Sequence, residues 1–160
     1  MMNVLFGLLI AVGLCLVGMV REVGALSEAV QAQLRTAKEI YLATRRADGQ
    51  WGKAAPVWFI YDGQAVYLTT APTSYKARRI KRGSPVRVWV GSTEGPAFTG
   101  KAEIIEDLEL VERMGSAYSQ KYWLAWLGLF RPRAARVAAG KTLAVKVMPV
   151  DDTPADAPAQ

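Results

Sequence analysis

Three strand-like runs follow one another between residues 40 and 70 with only tight turns between them. The first, residues 40–46, meets the hairpin turn Ala47-Asp48-Gly49-Gln50. The second, residues 53–61, meets Asp62-Gly63, and the third ends at Thr70. Turns this short join antiparallel neighbours, because a parallel pair needs a crossover of about a dozen residues or more. A doubly wound sheet, which alternates strand with helix, is therefore disfavoured. Consecutive hairpins favour a closed or nearly closed antiparallel barrel. Pro56 lies inside the second run. A missing N–H is tolerated there at a sheet edge, at a bulge, or where another group approaches the backbone.

The rest of the chain adds three strands, over residues 86–91, 98–106 and 142–150. A short helix is expected within residues 21–39, with Ser27 as cap and Leu26, Val30 and Leu34 at helical spacing. A basic helix, capped by Thr73 or Ser74 and stopped at Gly83, follows the third strand, and a long one, capped by Asp107, runs over residues 108–128. The fold class is mainly β with α: a six-stranded antiparallel barrel with flanking helices. Within residues 122–130, Trp123, Trp126, Leu127 and Phe130 fall at the spacing of one helical face. That face packs on the barrel, roofs a cofactor pocket, or lies at a membrane interface; the pattern leaves all three open.

Residues 3–20 carry no charge until Arg21. At ~1.5 Å per residue such a helix just spans a hydrocarbon core. A signal peptide is the rival, but no Lys or Arg precedes the run and Met19-Val20-Arg21 is a poor cleavage site. Arg21, Arg35, Lys38, Arg45 and Arg46 all follow it. The positive-inside rule then predicts a single-pass protein of the cell membrane with its domain on the cytoplasmic side. The expected division is a transmembrane anchor over residues 1–24, one barrel domain over 25–150, and a Pro-, Ala- and Asp-rich disordered tail over 151–160.

The chain contains no histidine and a single cysteine, Cys15. Ser-His-Asp and Cys-His catalysis are excluded, and no metal centre is expected. A bound cofactor is then the natural carrier of any chemistry. The net charge of +6 suits an anionic partner. Nucleic acid is not expected, because the aromatics follow strand periodicity rather than a basic face.

Thr69-Thr70-Ala71-Pro72-Thr73-Ser74-Tyr75-Lys76 reads as a strand end, a turn and a helix start. Its hydroxyls and the Lys76 ammonium are the parts of a phosphate cradle, although a capped, solvated basic helix has the same sequence. Ala55-Pro56-Val57-Trp58-Phe59-Ile60-Tyr61-Asp62-Gly63, Val66-Tyr67-Leu68-Thr69-Thr70 and Ser74-Tyr75-Lys76-Ala77-Arg78-Arg79-Ile80, in this order, carry a family resemblance.

From about Leu26 to Val150 the chain resembles the flavin-binding split-barrel family typified by pyridoxamine 5′-phosphate oxidase. The resemblance implies a six-stranded split barrel, a homodimer, and FMN at the dimer interface. Thr70, Ser74 and Lys76 match the family's phosphate-binding Thr, Ser and Lys, with Thr69 beside them. Lys53 is the nearest match to a basic residue that opens the second strand. The backbone of Pro56, Val57 and Trp58 is the expected contact for the ring edge, although for the Trp58 side chain barrel or dimer core is the favoured place. Tyr75 stands where the oxidase has Arg. That departure points towards the reductase branches, some of which use a deazaflavin in place of FMN. The expected function is hydride transfer to or from a small molecule by a membrane-tethered oxidoreductase. Non-catalytic storage of flavin or haem is the alternative, and the absence of histidine weakens its haem form.

Overall fold

The computed structural model describes residues 26–151. Helix α1 (Glu28–Thr36) begins where the Ser27 hydroxyl accepts the Val30 N–H, as its sequence predicts. Strands β1 (Ile40–Thr44), β2 (Ala55–Val57), β3 (Phe59–Tyr61) and β4 (Val66–Thr70) follow. Helix α2 (Tyr75–Lys81) leads to β5 (Val86–Val90) and β6 (Ala97–Ile105). Helices α3 (Leu108–Lys121), α4 (Trp123–Trp126) and α5 (Ala134–Ala138) precede β7 (Leu143–Asp151). The sheet order is β2-β1-β5-β6-β7-β4-β3, and every pairing is antiparallel.

The expected count of six strands is corrected to seven. The run over residues 53–61 breaks at Trp58, so that β2 pairs with β1 and β3 pairs with β4 at the far end of the sheet. One covalent segment thus serves both edges and draws the sheet into a nearly closed barrel. The break persists because side chains replace the lost ladder bonds. Tyr118 Oη donates to the Trp58 carbonyl at 2.7 Å, and Tyr122 Oη accepts the Phe59 N–H at 3.0 Å. Lys121 Nζ donates to the Phe59 carbonyl at 3.0 Å. A buried backbone group without such a partner costs about 1–3 kcal/mol.

The membrane-tethered location is also corrected. Among the described residues no helix is long and apolar enough to cross a membrane. The longest, α3, has 14 residues, or about 21 Å at 1.5 Å per residue, against a hydrocarbon core of ~30 Å. Residues 3–20, on which the anchor and the cytoplasm-facing placement rested, lie outside the described residues. The expected tail beyond Asp151 does too.

The long helix expected over 108–128 stops at Lys121. Tyr122 takes an extended conformation (φ −122°, ψ 121°), because its hydroxyl is tied to the strand break. A single helical turn, a loop and α5 follow. Trp123, Trp126 and Phe130 are 71%, 72% and 75% exposed, so this stretch does not form the core face that its spacing allows.

Inside the barrel, strand alternation places Ile40, Leu42, Phe59, Val66, Leu68, Val86, Val88, Val90, Phe98, Val145 and Val147 in one cluster, joined by Val30 and Leu34 of α1. Helix α3 packs on the outer surface, with Val111 and Met114 against Tyr67, Ile105 and Ala144. Full burial of one such aliphatic or aromatic side chain contributes about 1.5–3 kcal/mol. The ion pairs Arg46–Asp48, Lys101–Glu103 and Arg113–Glu109 are exposed and contribute about 0–1 kcal/mol each. Burial therefore sets the stability of the fold.

Candidate functional site

A cleft of about 860 Å3 opens where the sheet splits. Pockets of about 300–1,000 Å3 accommodate cofactor-sized ligands. One wall comes from the strands: Pro56 and Val57 of β2, Trp58 at the break, Thr69 and Thr70 at the end of β4, and Ala71. The other wall comes from residues 128–142, including Phe130, Arg131, Arg133, Arg136, Lys141 and Thr142. The register Thr70↔Leu143 brings Thr142 beside the end of β4 and so joins the two walls. Pro56 lies on an edge strand, which accounts for a proline in a ladder.

The Trp58 ring stacks on Tyr122 with centroids 4.4 Å apart and planes 2° from parallel, and Phe130 meets it edge-on at 6.1 Å. Trp58 is thus both a cleft residue and part of the packing beneath it. Phe130 adopts φ 57°, a left-handed conformation that costs a non-glycine residue about 1–2 kcal/mol. Gly128, two residues earlier, has φ 83° and takes the same region without that cost. Together they turn the chain so that Phe130 reaches Trp58.

Tyr118 also lines the cleft. Burial pushes its pKa well above the usual value, and neighbouring Tyr122 adds to the effect. Tyr118 therefore keeps its proton and acts as a donor to the Trp58 carbonyl. Behind it, burial lowers Lys121 to about 8, helped by the charge of Lys38. Its ammonium sits 3.4 Å from the Phe59 ring centroid. Burial raises Tyr122 to about 12, opposed by its hydrogen bond with the Phe59 backbone.

Of the residues expected from sequence, Pro56, Val57, Trp58, Thr69 and Thr70 meet in the cleft. Ser74 stands just behind: its Oγ lies 3.1 Å from Thr70 Oγ1 and accepts the Ala77 N–H at 3.0 Å, which makes it the cap of α2. Lys76 is half-buried and does not line the cleft, and burial lowers its pKa. Lys53 is exposed and does not line it either. Sequence reading missed Tyr118, Arg136, Lys141 and Thr142 as cleft residues. Arg131-Pro132-Arg133 reads from sequence as a helix breaker; here it carries two of the cleft's cations.

No curated protein matches the chain. Solved structures do. The heme storage protein HutZ from Vibrio cholerae is 15% identical, with a TM-score of 0.58 over 79% of this chain and 91% of that one. An F420 reductase is 21% identical, with a TM-score of 0.52 over 78% and 95%. General stress protein 26 from Bacillus anthracis is 20% identical, with a TM-score of 0.53 over 75% and 88%. At such identities the likeness is one of fold. The family model described as pyridoxamine 5′-phosphate oxidase matches residues 26–151, the whole of the barrel with its split strand and cleft, and the chain belongs to that family.

Proposed function

We propose that the cleft binds FMN and that the protein is an oxidoreductase acting on a small molecule. The observation that carries this reading is the strand wall. Pro56, Val57 and Trp58, together with Thr69 and Thr70 at the end of β4, line a cleft of about 860 Å3, large enough for a tricyclic ring. A flat heterocycle needs an apolar slot with a few polar contacts at its edge, and this wall supplies both. Bound there, a flavin would supply hydride-transfer chemistry, which needs no protein nucleophile and no histidine.

The chain's own residues then bind and orient. The backbone of Pro56, Val57 and Trp58 would hold the ring edge, and Phe130 and Trp58 would exclude water from one side. Thr70, with Ser74 and Lys76 behind it, would serve the phosphate, and Lys53, exposed and off the lining, would take no direct part. Tyr118 fixes the Trp58 carbonyl, and with it the wall that the ring touches. In this reading residues 25–150 are the cofactor-binding unit and two copies of the chain form the working dimer.

A deazaflavin is the second reading. The four cations on the opposite wall exceed what one phosphate requires, and they suit a longer anionic tail. Release of the bound cofactor from protein purified from its native host, followed by its absorption spectrum and mass, tests both. An FMN or deazaflavin spectrum at one equivalent per chain is expected. Colourless protein that takes up neither molecule would refute the proposal.

A further inference from the structure

We infer that Arg131, Arg133, Arg136 and Lys141 form an anion-binding wall, which takes a phosphate or carboxylate group of a molecule in the cleft. All four line the same cavity, and no Asp or Glu lines it. None of the four belongs to an ion pair among the described residues. Two are oriented by the chain itself. Arg133 Nη2 donates to the Gly128 carbonyl at 2.7 Å, and Arg136 Nε donates to Thr142 Oγ1 at 3.3 Å. Each guanidinium has five N–H donors, so both retain several that face outwards. Arg131 and Lys141 are exposed, and neither side chain has a hydrogen-bond or ion-pair partner among the described residues.

Like charges gathered in one cleft repel one another, and an anion between them removes that cost. Surface arginines are ordinarily spread among acids. Here the whole side of the cleft from residue 131 to residue 141 is of one sign. Planar guanidinium groups match the oxygens of phosphate and carboxylate in bidentate fashion, so the ligand group is of that class. Lys76 lies off the cleft lining while Thr70 shares it with these cations, so the wall adds to the cradle that the sequence suggests. The wall holds whether the anion is the tail of the cofactor or part of a second molecule.

The test uses the full chain and inorganic pyrophosphate as probe, titrated by calorimetry. Arg131→Gln with Lys141→Gln removes two exposed cations that make no internal hydrogen bond. Lys81→Gln with Arg82→Gln removes equal charge elsewhere. The first pair should weaken pyrophosphate binding by roughly ten- to a hundredfold, as the loss of one or two charge-assisted contacts predicts. The second pair should leave it nearly unchanged. Equal affinity in wild type and the Arg131/Lys141 variant, or equal loss in both variants, overturns the wall.

FMN and riboflavin titrations then identify the source of the anion. If pyrophosphate displaces FMN, and the first variant loses affinity for FMN but not for riboflavin, the cofactor's phosphate occupies the wall. If FMN and pyrophosphate bind together, a second, anionic molecule does. Pyrophosphate binding without any flavin binding would sink the flavin reading and leave the wall standing. Flavin binding with no pyrophosphate effect would do the reverse.

Discussion

At the scale of single residues, the hydroxyl of Tyr122 is the clearest case of a side chain standing in for a sheet partner. It accepts the Phe59 N–H and donates to the carbonyl of Phe59 or of Lys38. Tyr122→Phe leaves a buried N–H without an acceptor and should cost about 1–3 kcal/mol in urea unfolding. Tyr118→Phe orphans only the carbonyl of Trp58, and a carbonyl left under-satisfied is tolerated better than an N–H, so it should cost less. Equal effects would show that the Phe59 N–H is not the critical group. Lys121 gives a pH prediction. Its folded pKa of about 8 lies below the ordinary 10.5, so between those values the unfolded chain binds more protons. Stability should therefore rise with pH across that window. Tyr67 and Tyr122, raised to about 12, act in the opposite sense only above the ordinary tyrosine value of 10.0. The rise is thus cleanest between pH 8 and about 10. Lys76, also lowered by burial, acts in the same sense, so Lys121→Met should reduce the rise without abolishing it in melting curves taken across that range. A slope unchanged by the substitution would mean that Lys121 is not the titrating group.

At the scale of elements, what the sequence revealed depended on whether each signal was local. Ser27 and Asp107 cap the helices they were expected to cap, and Ser74, one of two candidates with Thr73, caps α2, because a cap bond spans only two or three residues. The strand pattern was legible because alternation such as Val86-Arg87-Val88-Trp89-Val90 is written in adjacent positions. The end of α3 was not. Tyr122 breaks the helix to reach Phe59, far away in sequence, and no local periodicity records that. The cationic wall was hidden for the same reason: Arg136 and Lys141 fall in a stretch with no strong period, and only the tertiary fold turns them towards Thr70. Gly115 shows how tightly that wall is docked. A Cβ there would lie 2.5 Å from the Pro132 carbonyl oxygen, a backbone atom that cannot swing aside. Gly115→Ala should push residues 128–133 off α3, move Arg131 and Arg133 with them, and weaken pyrophosphate binding at least severalfold. Far-UV circular dichroism should stay near wild type. Unchanged anion affinity would show that the wall is positioned by something other than its seat on α3.

At the scale of the molecule, the barrel depends on a joint of one residue. Side chains alternate with a period of two, so the phase of β2 fixes that of β3 across Trp58. One glycine inserted between Trp58 and Phe59 should turn Phe59 out of the core, or force a bulge beneath Tyr122, at a cost of roughly 3–5 kcal/mol by analogy with losing a buried phenylalanine. The same insertion after Gly63, in an exposed turn, should cost far less. Comparable midpoints in guanidinium for the two insertions would mean that the joint is not phase-locked. The split strand has one further consequence. Each half pairs on one side only, so the sheet's two open edges, β2 and β3, are three residues long, and Pro56 removes an amide from one of them. A growing fibril needs a long, flat, fully amidated edge to copy. Neither β2 nor β3 offers one, so the split strand that frames the cleft also keeps the two terminal edges of the sheet from templating another chain.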